Sequence, residues 1–291
     1  MRRGLLTLIV TVAASLSFAA CGSSNKSGSG SGADTSTTLA VKARPHVTID
    51  STEYGFALPA QIPAGWVDVT LHDSGKQGHQ IAFAKLGSTS FAAFKTAAAA
   101  TDVKALAAVQ FVGGPNNVDP GGSVTATVHL EPGEYGVACF IPDDKDGKSH
   151  ARHGMVGEVN VVQTPASVED APQVDAGTIS LSEFTFLPDA SFTGVGTVEI
   201  KNVGTQIHEM IVVKENAGAT LESVKGWFLK PSGPPPFVDA GGVVGLGPNQ
   251  TMYETMALRP GKYVLLCFFP DPTKGGLPHA LEGMIKEITI S

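Results

Sequence analysis

An internal repeat constrains this chain more than any other feature of its sequence. When the 291 residues are laid on themselves at a shift of about 129 positions, two copies of one pattern are found. The matched positions include His79 and His208, Cys139 and Cys267, His150 and His279, Met155 and Met284, and the segments 131–135 and 259–263. We therefore expect two domains of the same fold, each of ordinary size.

Each copy has the pattern of short strands separated by turns. Apolar and polar residues alternate at 67–71 and 124–130 in the first copy and at 198–201 in the second, which is the period of a half-buried strand. The 34 glycines and 19 prolines supply many turns. One helix is expected in each copy, over residues 91–110 and after Thr220. The pattern predicts an all-β fold of two tandem Greek-key β-sandwiches, each with one short helical insertion.

The N-terminal segment predicts export. Arg2 and Arg3 precede an apolar run over residues 4–18, and small residues then lead to Cys21. The run is too short to span a membrane comfortably, and the segment resembles a bacterial lipoprotein signal. The resemblance implies lipidation of Cys21 and a lipid anchor in the membrane, at the outer face of the cytoplasmic membrane in the bacterial cell envelope.

These features divide the chain into five parts. We expect a signal peptide at 1–20, a flexible tether at 21–44, a first domain at 45–163, a linker at 164–177 and a second domain at 178–291. The formal net charge is −7 and no basic stretch occurs. Nucleic acid is therefore not an expected partner.

Only four types of metal-capable position recur in both copies: His79/His208, Cys139/Cys267, His150/His279 and Met155/Met284. Two imidazoles, one thiolate and one weak thioether are the ligands of a trigonal blue-copper site with a long axial methionine. Any one of these residues alone is more often structural, and a buried cysteine often acts as a small hydrophobe. A disulfide between Cys139 and Cys267 is the alternative that exported cysteines suggest. The repetition of the whole set favours metal binding.

With these residues, both copies resemble cupredoxins, the fold of plastocyanin, azurin and copper nitrite reductase. The resemblance implies one copper ion per domain. It assigns His79 and His208 to the isolated histidine ligand, Cys139 and Cys267 to the thiolate, His150 and His279 to the loop histidine, and Met155 and Met284 to the axial methionine. Ten and eleven residues separate the cysteine from the loop histidine, which is more than in the small electron carriers and similar to the nitrite reductases.

The ligand set predicts electron transfer through type 1 copper, with a redox protein as partner. Two alternatives stay open: copper sequestration or delivery by the same residues, and a recognition module of this fold without metal. An enzyme is not expected. Ala138 and Leu266 precede the cysteines and Phe140 and Phe268 follow them, where further copper centres would need histidines.

Overall fold

Strands are the main regular structure of this protein, in a computed structural model that describes residues 43–291. In the first repeat the elements are β1 (His46–Thr52), β2 (Gly55–Ala57), β3 (Gln61–Pro63), β4 (Gly65–Asp73), β5 (Ala82–Lys85), α1 (Phe91–Ala100), α2 (Val103–Leu106), β6 (Gln110–Gly113), β7 (Ser123–Leu130), β8 (Gly133–Ala138) and β9 (Val156–Val162). In the second repeat they are β10 (Thr178–Ser182), β11 (Thr185–Pro188), β12 (Val195–Asn202), β13 (His208–Glu215), α3 (Leu221–Leu229), β14 (Phe237–Leu246), β15 (Thr251–Ala257), β16 (Gly261–Leu266), β17 (Pro270–Asp271), β18 (Leu277–Pro278), a 3₁₀ helix (His279–Glu282) and β19 (Ile285–Ile290). The all-β prediction is confirmed.

The helix predicted over residues 91–110 is interrupted. Thr101 adopts a left-handed conformation with φ of 51° and ends α1. The Asp102 carboxylate then accepts the backbone N–H groups of Lys104 and Ala105 and begins α2. Gln110 already belongs to strand β6. An alanine-rich composition favours helix but does not encode where a helix must stop.

Two sheets run through both repeats. One has the strand order β11-β10-β12-β15-β7-β4-β1-β2, and the other β19-β16-β13-β14-β6-β5-β8-β9-β3. The repeats meet where β15 pairs with β7 and where Leu246 of β14 pairs with Val112 of β6. The paired strands hold equivalent places in the two repeats, and Lys42–Ser291 form one compact unit.

The core lies between the two sheets. Alternate residues of β4 and β12 point into it, and Val67, Val69, Leu71, Val198 and Ile200 are fully buried. Each such side chain contributes roughly 1.5–3 kcal/mol through its burial. The alternation in the sequence therefore predicts correctly which residues of these strands face the core.

A tyrosine closes the corner before β8 and before β16. The Tyr135 hydroxyl donates to the carbonyl oxygen of Glu131 at 3.1 Å, and the Tyr263 hydroxyl donates to that of Arg259 at 2.8 Å. Both rings are buried. Each bond ties the Pro-Gly turn to the strand that directly precedes the cysteine of its repeat.

We expect Tyr135→Phe to lower the free energy of unfolding by about 1 kcal/mol, because one hydrogen bond is lost while the ring packing stays. Urea unfolding measures the change. Tyr263→Phe is the matched variant and should lose a similar amount. Unchanged unfolding in both variants would contradict a structural role for the corner.

The predicted linker packs on both repeats. The Trp66 N–H donates to the Val168 carbonyl oxygen at 2.7 Å, and the N–H of Ala176, which is fully buried, donates to the Thr197 carbonyl oxygen at 3.1 Å. The predicted signal peptide at 1–20, the predicted lipidation at Cys21 and the tether up to residue 42 lie outside the described residues. Within the described part of the chain, no helix has the length and apolar character needed to cross a membrane.

Candidate metal centre

The predicted ligands lie at the ends of strands. His208 begins β13, while His79 stands just before β5 and is held by two backbone hydrogen bonds with Val118, of 3.0 and 2.8 Å. Cys139 directly follows β8, and Cys267 directly follows β16. These strands belong to the same sheet, so each repeat presents its histidine and cysteine from neighbouring strands.

The long loop between cysteine and histidine is held by backbone hydrogen bonds. In the first repeat, Ala151 N–H donates to the Cys139 carbonyl at 2.7 Å, Met155 N–H to that of His150 at 3.0 Å, and Cys139 N–H to that of Met155 at 3.2 Å. Equivalent bonds of 2.6, 2.9 and 3.2 Å occur in the second repeat. The loop is longer than in the small electron carriers, but these hydrogen bonds still bring the histidine next to the cysteine.

Three ligand atoms of the first site converge. His79 Nδ1 lies 3.1 Å from His150 Nδ1, and Cys139 Sγ lies 3.5 Å from the same His150 nitrogen. All three side chains are 0% exposed. The three residues that are far apart in the chain therefore form one buried cluster.

The second site repeats this geometry. His208 Nδ1 lies 3.1 Å from His279 Nδ1, and Cys267 Sγ lies 3.4 Å from His279 Nδ1. These side chains are also 0% exposed. The two sites agree within 0.1 Å in these contacts. Chance packing in each repeat is therefore a poor explanation of the clusters.

The two clusters fit one metal ion each. With bonds of about 2.0–2.1 Å to nitrogen and about 2.3 Å to sulfur, as known for zinc, ligand atoms around one ion lie roughly 3.3–3.8 Å apart. The Nδ1–Nδ1 and Nδ1–Sγ separations of 3.1–3.5 Å are close to that range, and all three ligand atoms of each cluster lie within 4.8 Å of one another. Nε2 of His79, His150 and His208 has no hydrogen-bond partner among the described residues, so these rings are not held in place by hydrogen bonds from Nε2.

Gln206 identifies the ligand nitrogen in the second site. Its side-chain oxygen lies 3.1 Å from His279 Nε2. Because an amide oxygen only accepts, His279 must carry its proton on Nε2, which leaves the Nδ1 lone pair free for a metal. In the first site the oxygen of the equivalent Gln77 accepts the Asp144 N–H instead, at 2.7 Å.

Burial sets the protonation of the ligands. It lowers the pKa of all four imidazoles, that of His208 to about 4, so the rings are neutral near pH 7. Burial raises the pKa of the Cys139 thiol to about 12 and that of Cys267 well above its usual value. The thiols therefore hold their protons until a cation displaces them.

Met155 and Met284 lie at equivalent places in the two repeats. Each is fully buried, and each is bonded through its backbone to the histidine and cysteine of its repeat. Their role as axial ligands stays a prediction.

The disulfide alternative is wrong. Cys139 and Cys267 are both free and buried, and each thiol lies against the histidine of its own site. The two repeats meet through β7–β15 and β6–β14, an arrangement that leaves the cysteines in separate clusters.

Two carboxylates behind the histidines were not predicted from the sequence. Glu53 accepts the backbone N–H groups of Lys76 and Gln77, and Glu183 accepts those of Thr205 and Gln206. Their carboxylate oxygens lie 3.8 Å from His79 Nε2 and 3.5 Å from His208 Nε2. The two glutamates coincide at a shift of 130 positions, so the internal repeat already carried this signal.

We expect Glu183→Gln to destabilise the protein by about 1–2 kcal/mol at pH 7, because charge-assisted hydrogen bonds to the loop become neutral ones. Burial opposes ionisation of Glu183, but the N–H groups of Gln206 and Thr205 outweigh it and lower its pKa to about 2. This contribution is present above pH 4.5 and is lost as the pH falls through about 2. Urea unfolding measures it, with the exposed Glu222→Gln as control. Equal losses in the two variants would contradict this role.

The surroundings of the two sites differ in buried carboxyl groups. Asp73 lies 3.8 Å from His79 Nε2 in the first repeat. In the second repeat Glu209 accepts the Phe268 N–H at 2.8 Å, and burial raises its pKa to about 7. Gln80 follows His79 where Glu209 follows His208. Metal ions bound in the two sites would therefore have different carboxyl groups near them.

Comparison with known proteins gives structural neighbours alone. No protein-family model matches the chain, and no curated protein matches its sequence. A reduced auracyanin from Roseiflexus castenholzii is similar over 41% of this chain and 98% of its own, with 23% identity and a TM-score of 0.30. A copper nitrite reductase from Nitrosomonas europaea is similar over 86% of this chain and 94% of its own, with 14% identity and a TM-score of 0.22. A multicopper oxidase covers 84% of this chain and 88% of its own, with 13% identity and a TM-score of 0.23.

The strands and the two repeated sites define the class: an all-β chain with a two-domain cupredoxin-like arrangement, as predicted.

The expectation that the chain is not an enzyme is wrong. Neighbours that extend over 84–86% of the chain include copper nitrite reductases and a multicopper oxidase, which are enzymes. The lack of histidines beside Cys139 and Cys267 excludes only further ligands that adjoin the cysteines in sequence. Ligands can come together from distant parts of a chain, so that observation is too narrow to exclude catalysis.

Proposed function

We propose that this protein binds one copper ion in each repeat and transfers electrons through them. The observation that carries the proposal is the buried convergence of two Nδ1 atoms and one Sγ atom in both repeats. Two imidazoles and a thiolate, with a methionine beside them, are the ligand set of blue-copper sites. Copper in such a site supplies one-electron chemistry between its two oxidation states.

The residues of the chain contribute rigidity and exclusion of water. Strands and backbone hydrogen bonds hold the ligands at fixed places, so a change of oxidation state requires little rearrangement. The ligand side chains are fully buried, which keeps solvent from the ion. Both properties favour transfer of single electrons over ligand exchange, and a redox protein is the proposed partner.

A lipid anchor at Cys21 would hold the protein at the outer face of the cytoplasmic membrane. This part of the proposal is supported by the N-terminal pattern of residues 1–21. Cys21→Ala should then move the protein from the membrane fraction to the soluble fraction, and mass analysis of the mature N-terminus should find acyl chains. An unmodified Cys21 would contradict it.

The colour of the copper-loaded protein tests the proposed function. Added Cu(II) should give an intense blue thiolate-to-copper absorption, which Cys139→Ser and Cys267→Ser should each reduce and the double variant abolish. Reversible bleaching by a one-electron reductant would support electron transfer over copper sequestration or delivery. Copper binding without a blue band in the parent protein, if it persists in the double variant, would contradict type 1 sites. No copper binding at all would favour a recognition module without metal.

A further inference from the structure

The four candidate histidine ligands do not reach the surface. His79, His150, His208 and His279 are each 0% exposed. If the proposed function holds, as the inference below assumes, electrons cannot enter or leave through an exposed edge of these imidazoles. They must cross other side chains, and the side chains between the two sites become important.

Phe111 lies at the junction of the repeats and contacts an aromatic ring on each side. Its ring centroid is 6.3 Å from that of Phe140, at an interplanar angle of 54°, and 6.0 Å from that of Phe269, at 74°. These are ordinary distances for contacting aromatic rings. Phe140 belongs to the first repeat and Phe269 to the second, so three rings cross the junction without a gap.

Both outer rings belong to residues that are linked through the backbone to a candidate metal ligand. Phe140 directly follows Cys139 in the chain. Phe269 lies two residues after Cys267, its backbone N–H hydrogen-bonds towards the Cys267 thiol, and its carbonyl accepts the His279 N–H at 3.0 Å. The path of rings therefore begins at one thiolate ligand and ends at the other.

The second repeat holds the central ring in place. Phe111 is fully buried, and its carbonyl accepts the Gly247 N–H at 2.9 Å. A Cβ atom on Gly245 would lie 3.0 Å from the Phe111 ring, so the glycine leaves the space that the ring occupies. At the register that matches Gly114 with Gly242, the counterpart of Phe111 is Asp239. The ring is thus a feature of the junction and not part of the repeated core.

We propose that Phe140, Phe111 and Phe269 form the route by which electrons pass between the two metal sites. With copper bound in both sites, one electron would pass from Cu(I) in one site to Cu(II) in the other, so that one ion is oxidised as the other is reduced. No bond forms or breaks and no proton moves.

Pulse radiolysis of the copper-loaded full chain tests the route. The blue spectra of Cys139→Ser and Cys267→Ser identify each site, and the re-equilibration between the sites is followed after reduction by less than one electron per protein. We expect a first-order phase that is independent of protein concentration. Phe111→Leu should slow it by roughly tenfold or more, and Phe111→Tyr should largely preserve it.

Two further measurements separate a route from a packing role. Phe186→Leu removes a fully buried ring in β11 and should leave the rate unchanged. The distance between the two Cu(II) ions, from pulsed electron paramagnetic resonance, should be the same in Phe111→Leu and in the parent protein. Equal rates in Phe111→Leu and Phe186→Leu, or no intramolecular phase in the parent protein, would overturn the route. Absence of blue bands would instead reject the proposed function.

Discussion

Copper loading should raise the free energy of unfolding by about 2.7 kcal/mol per site when free copper is one hundred times the dissociation constant. The reason is that the ligands come from residues up to 71 positions apart in each repeat and meet only in the folded chain. An ion bound there stabilises the folded state and has little affinity for the unfolded one. Thermal unfolding with added copper and with a chelator measures the difference.

Variants of single sites make this expectation specific. Cys139→Ser and Cys267→Ser should each remove about half of the stabilisation by copper, and the double variant should remove nearly all of it. His129→Asn is the control, because the His129 ring contacts Trp66 and Glu169, and Trp66 lies at the end of β4 opposite to Asp73. Full stabilisation by copper in the double cysteine variant would show that the ion binds elsewhere.

Glu254→Gln should stabilise the protein by about 3 kcal/mol above pH 7. Glu254 lies in β15 and is 5% exposed. One carboxylate oxygen accepts the Gly242 N–H at 3.2 Å, and the other has no hydrogen-bond partner among the described residues. Burial raises the pKa of Glu254 to about 7, against the smaller lowering by the Gly242 bond.

The direction of the pH dependence follows from that pKa. The folded state holds the Glu254 proton up to about pH 7, whereas the unfolded chain releases it near pH 4.5. The contribution of Glu254 to the free energy of unfolding is therefore most favourable below pH 4.5 and falls as the pH rises through 7, because ionisation of a buried carboxyl is costly. Glutamine does not ionise, so the two proteins should differ little near pH 4.

Urea unfolding between pH 4 and 8 measures this effect. Burial also raises the pKa of Glu209 to about 7, so the Glu254→Gln variant should keep part of the decrease in unfolding free energy with rising pH. Glu134→Gln, on the exposed side of β8, is the matched control and should keep the full slope of unfolding free energy against pH. A slope that is the same in Glu254→Gln and Glu134→Gln would show that Glu254 does not ionise at a cost.

Much of the candidate site could be predicted because it is duplicated. His79, Cys139 and His150 each have a partner at nearly the same shift, and matching of residue types at matching offsets is information that one sequence contains. The structure brings these residues together in both repeats. Glu53 and Glu183 could have been found by the same comparison, but carboxylates on loops are common and suggest no chemistry until the histidine beside them is known.

Other features could not be predicted from one sequence. The break in the helix at Thr101 depends on Asp102 competing for the backbone N–H groups of the next turn. The free state of Cys139 and Cys267 depends on how the two repeats are joined. Catalysis could not be excluded by inspecting the neighbours of two cysteines.

The sequence by itself determined the all-β class, the two repeats and the residues of both candidate sites, because strand alternation and ligand order are local patterns that each repeat carries. Only the tertiary structure decided that β15 pairs with β7 and β14 with β6, and that Phe111 lies between Phe140 and Phe269. Such contacts depend on which sheet edges are paired and which surfaces are buried when the whole chain folds. Those choices are made by long-range packing, which no local pattern specifies.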